Sequence, residues 1–323
     1  MLSYVSRRLL YSIPIIIGIT LITFFIMYWT PGKPTDVSME LNPKISAEAK
    51  ERLLKLYGLD KPVYEQYWNW LRRIAVLDFG NSFKDGIPVI SKIAQRLPAT
   101  LLLNFLSLGF IFIGATLIGV VCAVKKGGFW DRFLTFLVFL GFSTPSFWAA
   151  LILMIVFGLW LGWLPISGIV SFRFYELSTL GKVLDLTKHL ILPVFVSSIA
   201  SLAALSRYVR SSLMDTLKQD YIKTAYAKGL SQKDVVFGHA LKNALLPLIT
   251  ILCLSIPGLI GGSFIIETIF SYPGMGRLGY EAIIARDYPV IMGIGIISAF
   301  LTLAGNIAAD ILYAVADPRI RYK

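Results

Sequence analysis

The side chains that most often carry out chemistry in proteins are scarce in this sequence and lie far apart. Its two cysteines, Cys122 and Cys253, each stand inside an apolar stretch, which favours small buried hydrophobic residues over a disulfide or a metal site. The two histidines, His189 and His239, have no potential ligands near them in the sequence. A phosphate-binding loop of the pattern GxxxxGK[ST] does not occur in the 323 residues. The sequence therefore predicts neither a metal site nor a catalytic histidine, and no ATPase of the P-loop class.

The most informative spacing lies in a basic stretch of 36 residues, 207–242. Gly229 is suited to end a helix there, because glycine adopts positive φ at little cost. Ser231 follows as an N-cap, and Asp234 stands three residues later in a capping-box pattern. We therefore predict two helices joined by a tight turn, the first running from the membrane to Gly229 and the second leading straight into an apolar segment. Such a hairpin would act as a lever, because force at the turn would tilt the attached helices. A solvated basic connector is the alternative.

The elements that position this stretch are predicted to be membrane helices. Of all residues, 56% are hydrophobic and 15% charged, whereas soluble domains carry about a quarter charged residues. The mean hydropathy is +0.70. Crossing the roughly 30 Å hydrocarbon layer takes about 20 helical residues. Six uncharged windows are candidates, namely 9–29, 99–124, 133–172, 189–206, 244–266 and 289–309. The expected fold is an all-α integral membrane protein with about six transmembrane helices.

The third window is 40 residues long and could cross twice. Pro145 lies inside it, and Trp160 and Trp163 near its end favour the headgroup level, so we predict one long helix to about Trp160 and then an interfacial loop. With this single crossing, four basic segments share one side. Leaving out Glu267 and Asp310, which border apolar windows, that side has 15 Lys and Arg and 5 Asp and Glu, whereas the other side has 16 and 12. The positive-inside rule then predicts that both termini are cytoplasmic. Topology therefore accounts for the net charge of +12, and a nucleic-acid surface is not needed.

These boundaries divide the chain into four parts. Residues 1–29 hold the N-terminus and a first membrane helix, which we interpret as retained because its apolar core of about 20 residues is longer than that of a signal peptide. Residues 30–97 form an extracytoplasmic segment. Residues 98–313 form a five-helix core that includes the coupling loop 207–243, and residues 314–323 form a cytoplasmic tail.

The extracytoplasmic segment is expected to hold three short helices. Ser46 can cap the first, which runs through Tyr57. Pro62 suits the first turn of the second, 63–71, whose Tyr and Trp residues suggest that it lies along the membrane interface. The third spans 89–97. The segment is interpreted either as a cap over the bundle or as a docking surface for a binding protein.

Charged or irregular positions at membrane depth are candidates for the transport pathway. Glu267 lies just past the fifth window and precedes the turn-rich FSYPGMGRL, which favours a role at the outer gate over an interfacial cap. Pro145 and the pair Pro257-Gly258 interrupt apolar windows and could line a pathway or form ordinary kinks. Asp310, which ends the sixth window, is interpreted as an interfacial cap.

Long stretches of the chain resemble one protein family. The segment YIKTAYAKGLSQKDVVFGHALKNALLP resembles the EAA loop of ATP-binding cassette importer permeases, although the Glu and first Ala of that pattern are absent from Lys223-Thr224-Ala225. Against permeases of the dipeptide, oligopeptide and nickel importers the resemblance extends almost from end to end. It is carried by LDKPVYEQYWNWL, DFGNSF, RLPATL, STPSFWAALIL, AKGLSQKDV, HALKNALLP, ETIFSYPGMGRL and ADPRIR.

This resemblance implies a permease subunit that conducts peptides and works with partners. It implies a second, similar permease subunit, two ATPase subunits that bind ATP and Mg, and an extracytoplasmic solute-binding protein. Nickel chelates and oligosaccharides are the alternative substrates. The small residues Ala225 and Gly229 would allow close approach of an ATPase subunit. The positions implied to dock there are Tyr221, Thr224, Ala225, Ala227, Lys228, Gly229, Leu230 and Ser231.

Two other classes of membrane protein fit the sequence less well. A secondary transporter would normally show inverted repeats with paired interrupted spans, and the sequence has no second copy of the Gly229 loop. An intramembrane enzyme would need convergent nucleophiles, bases or metal ligands, and the apolar windows offer only Ser and Thr.

Overall fold

The computed structural model describes residues 2–29 and 60–316 of the chain, and these residues form helices with no strand among them. The helix that the sequence predicts over residues 46–57 lies outside the described residues, as does the tail from residue 317 onward. In chain order the helices are α1 (Leu2–Trp29), α2 (Val63–Ala75), α3 (Val89–Val124), α4 (Phe129–Ser143), α5 (Ser146–Leu153), α6 (Thr179–Thr216), α7 (Asp220–Ala227), α8 (Leu241–Ala244), α9 (Leu246–Ser255), α10 (Phe264–Ile269), α11 (Met275–Ile284) and α12 (Tyr288–Ala316).

Irregular helical turns extend several of these helices. A π-helical segment, Met154–Trp160, continues α5, and a second one, Asp234–Ala240, leads into α8. A 3-10 turn, Ile256–Ile260, continues α9. Within the described ranges α1, α3, α6 and α12 are long and apolar enough to cross a membrane, and two bent pairs of helices, residues 129–160 and 234–260, can each count as a further span.

The parallel packing of α3 and α6 decides how the first bent pair runs. Ser198 donates a hydrogen bond to the carbonyl of Ser107, and farther along both helices a Cβ at Gly119 would touch Val209. Contacts therefore advance in the same direction along α3 and α6, so the chain must cross once between them. The bent pair does this: Asp131 at its start pairs with Arg210 near the end of α6.

The second bent pair likewise crosses the bundle once. At its start, the hydroxyl of Ser212 on α6 donates to the carbonyl of Ala244, at 3.0 Å. At its other end, the amide of Asn104 on α3 donates to the carbonyls of Leu259 and Gly261, at 2.7 and 3.0 Å. The pair is therefore antiparallel to α3 and α6, and six crossings follow for the described residues.

The first and last helices of the bundle are antiparallel neighbours. Arg8 near the start of α1 pairs with Asp310 near the end of α12, at 2.9 Å, whereas Met27 near the end of α1 packs with Met292 near the start of α12. The start of α1 and the end of α12 thus lie at one end of the bundle, together with the turns after α3 and α6. We call this end the basic face and the other end the opposite face.

The third span is not the single helix predicted from the sequence. α4 and the helix that begins at Ser146 meet at an angle of 107°. Pro145 lacks an N–H and disfavours helical backbone in the residue before it, and Thr144 is indeed extended, with φ −87° and ψ 124°. The predicted single crossing is retained, but as a sharply broken span.

Three helix boundaries also differ from the sequence prediction. The expected short helix 89–97 is the first part of α3, which runs on through Pro98, a residue exposed at the helix surface. The first hairpin helix, predicted to run from the membrane to Gly229, is interrupted after Thr216, where α6 ends, and resumes as α7 at Asp220. The helix after the hairpin turn does not lead straight into the fifth span. It bends by 51° just before Pro247, which cannot donate the next helical hydrogen bond.

At the opposite face, α2 covers the end of α1. The predicted helix 63–71 exists and extends to Ala75, and its Tyr67 hydroxyl lies 3.0 Å from that of the buried Thr20.

After α2, hydrogen bonds from the Arg73 guanidinium and from the Gly80 N–H lower the pKa of the Asp78 carboxyl below its ordinary value.

A buried carboxylate attaches the segment between α2 and α3 to the start of α12. Asp287 is 2% exposed and accepts hydrogen bonds from the Ser82 hydroxyl, at 2.5 Å, and the Phe83 N–H, at 3.0 Å. Lys92 in turn donates to Ser82. These contacts join residues about 200 positions apart in the chain, so they fix the two segments relative to each other.

We predict that Asp287→Ala releases this attachment. The variant leaves the Ser82 hydroxyl and the Phe83 N–H without their acceptor, and each hydrogen bond to a charged group contributes about 1.5–3 kcal/mol. Thermal unfolding in detergent should occur at a clearly lower temperature, and limited proteolysis should cut between Val76 and Pro88. Asp85→Ala is the matched control, because Asp85 pairs with Lys92 at a side-chain exposure of 36% and should matter much less. Equal effects of the two variants would contradict the prediction.

Candidate functional site

The candidate site is the hairpin of residues 217–244 on the basic face, and its turn is closed by its own backbone. Gly229 has φ +80°, as the sequence predicted. Its N–H donates to the carbonyl of Tyr226, and the N–H of Leu230 donates to that of Ala225, at 2.9 and 3.4 Å. These two bonds are the pair that defines a Schellman motif, in which a left-handed residue ends a helix.

The second arm of the hairpin begins with the predicted cap. The Ser231 hydroxyl accepts from the N–H of Asp234 at 3.2 Å and donates to the Asp234 carboxylate at 2.6 Å. The serine thus satisfies one of the free N–H groups of the helix start. A further bond, from the Asn243 amide to the Tyr221 hydroxyl at 2.8 Å, links the two arms near their base.

Apolar packing fastens the hairpin to the ends of the spans. Ile222 on α7, Leu213 on α6 and Val235 on the second arm are fully buried. They belong to one cluster that also includes residues of α3, namely Val120 and Ala123. The hairpin is therefore not a free loop: it shares a core with α3 and α6, and a displacement of the turn must be transmitted to those helices.

The outward surface of the hairpin carries most of the positions predicted for docking. Tyr221, Tyr226 and Leu230 expose 43%, 44% and 38% of their surface. The smaller or charged docking positions are exposed as well, namely Thr224, Ala227, Lys228, Gly229 and Ser231. The structure places Ala225 differently, since it is 7% exposed and packs inward. Ala225 thus supports the hairpin, and only Gly229 of the two small residues lies at the exposed turn.

Glu267, the second sequence candidate, is completely buried near the opposite face. Its carboxylate accepts hydrogen bonds from the Thr100 hydroxyl at 3.1 Å and the Arg277 N–H at 2.8 Å. Thr100 also accepts from the N–H of Met275 at 2.7 Å. A Cβ at Gly274 would overlap the carboxyl group. Glu267 therefore ties the turn between α10 and α11 to α3, and it faces protein on all sides.

The remaining pathway candidates do not come together around Glu267. Pro145 is exposed at the break between α4 and α5, and Gly258 is exposed within the 3-10 turn after α9. Pro257 is half-buried and lies against α12, where a Cβ at Gly305 would be 3.0 Å from its Cα. Asp310 forms the ion pair with Arg8 that joins the last and first helices. Among the residues that the structure describes, no group of three or more His, Cys, Asp or Glu side chains could hold a metal ion.

Sequence reasoning missed the contacts of two residues, Thr100 and Arg207. Thr100 joins Glu267 to α11, but a threonine in an apolar window carries no signal of that role. Arg207 was counted as the first residue of a loop, although it lies within α6, with its guanidinium 5.1 Å from the ring centre of Phe139. The helix was predicted to continue past this charge, but no signal in the sequence placed the guanidinium against α4.

Six crossings with a packed hairpin on one face define a multi-pass membrane protein. The family described as binding-protein-dependent transport system inner membrane component matches residues 115–322, and the family of its N-terminal region matches residues 1–104. The chain belongs to this family. It is accordingly the membrane permease subunit of an ATP-binding cassette importer and not the catalytic subunit.

Curated relatives match over the whole chain. The oligopeptide transport system permease protein AppB of Bacillus subtilis is 46% identical over 323 residues, covering all of both chains. The di/tripeptide transport system permease protein DppB of Pseudomonas aeruginosa is 39% identical, again over all of both chains. The dipeptide transport system permease protein DppB of Escherichia coli is 37% identical over the same share.

A solved structure shares the fold. A chain of the MetNI methionine ABC transporter in an inward-facing conformation matches with a TM-score of 0.55, covering 70% of this chain and 96% of that one. The sequences are 17% identical, so this likeness concerns the fold alone. It confirms the predicted all-α permease architecture.

Proposed function

We propose that this chain forms, with a second permease subunit, the membrane path through which an importer carries di- or oligopeptides. A solute-binding protein delivers the peptide at the opposite face, and two ATPase subunits, which bind ATP and Mg, dock on the basic face. Relatives that cover the full length of the chain and are named as peptide permeases support the peptide substrate. Nickel chelates and oligosaccharides are the competing substrates.

The packed hairpin is the observation that carries the mechanical part of this proposal. Its exposed turn offers Tyr226, Lys228 and Leu230 to a partner, while its buried side shares a core with α3 and α6. Because α6 continues unbroken for 38 residues, about 57 Å, motion at the turn reaches the opposite face through one rigid element. ATP hydrolysis in a partner can thereby change the packing of the spans.

A reconstituted complex tests the substrate and the partners together. The chain is co-expressed with the second permease and the ATPase subunits, purified through a tag on this chain, and placed in vesicles with the binding protein. We expect the ATPase subunits to co-purify and the vesicles to accumulate labelled peptide in an ATP-dependent manner. Accumulation of a nickel chelate or an oligosaccharide instead of peptide would overturn the substrate, and import without any ATPase subunit would indicate a secondary transporter.

We propose further that the basic face is cytoplasmic, as its excess of Lys and Arg suggests. An impermeant thiol reagent added to intact cells should modify a cysteine placed at the exposed position Asn69 and fail to modify one placed at Gly229. Both single-cysteine variants are made after Cys122 and Cys253 are replaced by Ser, and permeabilised cells show that each site reacts when it is reached. Labelling at 229 in intact cells would reverse the orientation.

A further inference from the structure

One face of α6 exposes small and polar side chains in place of large apolar ones. Helix α9 packs against α6 at Leu205 and Val209, and α4 of the first bent pair contacts α6 at Arg207. The exposed residues on this face recur at helical spacing and are small or polar, namely Ala200, Ser201, Ala204, Arg207, Tyr208 and Ser211. By contrast, α4 exposes Phe129, Phe133 and Phe136. A polar, exposed face at membrane depth indicates contact with protein or water rather than with lipid tails.

Arg207 is the only charged residue on this face. Its guanidinium lies at membrane depth, well away from the basic face. Three residues farther along α6, Arg210 pairs with Asp131 in the first turn of α4, which marks the edge of the basic face. The Arg207 guanidinium instead lies 5.1 Å from the ring centre of Phe139 and 5.5 Å from that of Phe142. These residues are 10 and 13 positions into α4, about 15–20 Å along the helix.

The Arg207 side chain points away from the nearest aqueous surface. Side chains on a helix tilt toward its N-terminus, and the N-terminal end of α6 is at the opposite face. A long basic side chain in a membrane helix usually extends back to the interface, which here would bring it toward Asp131. The contacts with Phe139 and Phe142 show that Arg207 extends inward instead.

Arg207 also lacks the acidic partner that other arginines of the bundle have. Arg8, Arg210 and Arg277 each pair with a carboxylate, at 2.9, 2.9 and 2.8 Å. Within residues 2–29 and 60–316, the polar groups of the chain give Arg207 no hydrogen bond or ion pair, and its guanidinium lies over two aromatic rings. Its planar head group retains free N–H donors in the geometry that suits a carboxylate.

We propose that Arg207 binds the C-terminal carboxylate of the peptide as it passes through the inner half of the path. This inference rests on the proposed peptide substrate. Every peptide carries that group whatever its sequence, so one fixed arginine serves a transporter of many peptides. The two aromatic rings hold the guanidinium in place by cation–π contact and leave its N–H edge open to the substrate.

The test compares import of one peptide in two forms, with a free C-terminal carboxylate and with a C-terminal amide. The peptide is one whose amide the unmodified complex still imports, and each form is loaded on the binding protein at saturation. Rates for Arg207→Gln are divided by those of the unmodified complex for the same form, so that any preference of the binding protein cancels. Arg132→Gln is the matched control, because it removes an exposed arginine of the same face that contacts neither aromatic ring.

We expect Arg207→Gln to lower import of the free-carboxylate form about tenfold or more, as loss of a hydrogen bond between two charged groups implies, and to leave the amide form unchanged. Arg207→Lys should recover part of the difference, and Arg132→Gln should change neither rate. An equal fall for both forms, or no fall, would overturn the proposal. An equal fall seen only in vesicles with anionic lipid would assign Arg207 to a lipid phosphate. If the unmodified complex imports neither form, it is the peptide function itself that fails.

Discussion

Replacing Gly229 with tryptophan should abolish peptide import while leaving the permease folded. The backbone at this position has φ +80°, and a Cβ there meets no atom of the chain within 4 Å. The substitution therefore creates no internal collision. It adds backbone strain of about 1–2 kcal/mol and places a large ring on the exposed turn, where a partner must approach closely. The transmembrane packing lies elsewhere, so the bundle should insert and purify normally.

The test of Gly229→Trp measures three quantities on one preparation: assembly with the ATPase subunits, the ATPase rate and peptide uptake. We expect either that the ATPase subunits no longer co-purify or that ATP turnover persists without import. Gly127→Trp is a close control, because Gly127 has φ +75° on the same face, in the short connector before α4, and a Cβ there also meets nothing within 4 Å. If Gly229→Trp assembled and imported peptide as well as the control, the hairpin would be a basic connector and not a coupling element.

Substituting Gly274 with alanine should destabilise the permease, and removing the Glu267 carboxylate should relieve most of that effect. A methyl group at Gly274 would overlap the buried carboxyl, and overpacking of this kind costs about 1–3 kcal/mol. Glu267→Ala alone is also expected to destabilise, because the Thr100 hydroxyl and the Arg277 N–H lose their acceptor, at about 1–3 kcal/mol for each group left unsatisfied. It makes room for the methyl, however, so the double variant should be much more stable than the sum of the two predicts.

Thermal unfolding in detergent is measured for the unmodified permease, the two single variants and the double variant, which together form a double-mutant cycle. Gly279→Ala in α11, the helix that follows Gly274, serves as the control, since a Cβ there would lie 3.8 Å from Ile294 in ordinary contact and should cost little. Additive effects of Gly274→Ala and Glu267→Ala would show that the two positions do not touch and would remove the basis for the buried attachment.

Features that depend on local chemistry could be predicted from the sequence. The left-handed Gly229, the Ser231 cap and the helix after Pro62 were predicted and are present, because each depends on residues within one or two turns. The six apolar spans follow from composition in the same way. Even the uncertain third window could be resolved by counting charges, and the parallel packing of α3 and α6 confirms its single crossing.

Features that depend on distant contacts could not be predicted. Pro98 and Pro145 are both prolines in apolar windows, yet α3 continues through the first and the chain turns by 107° at the second. The difference lies in what each span packs against. The partner of Glu267 was likewise missed, because nothing in its neighbourhood in the sequence shows that Thr100, 167 positions away, supplies it; its role at the outer gate stays a prediction. Arg207 was assigned to the basic loop because its charge ends an apolar window, and its contact with Phe139 of α4 is a distant one.

The ion pair between Arg8 and Asp310 has a consequence for how the protein is made. α1 packs mainly against α12 and α2, and the residues that meet in this pair are separated by almost the whole chain. At a synthesis rate of about 5–20 residues per second, α1 leaves the ribosome roughly 15–60 s before the end of α12. During that interval α1 has α2 beside it but lacks α12, and its apolar surface allows it to remain in lipid. The contact between α1 and α12 can form only after translation has delivered α12, so its formation is a late step of biogenesis.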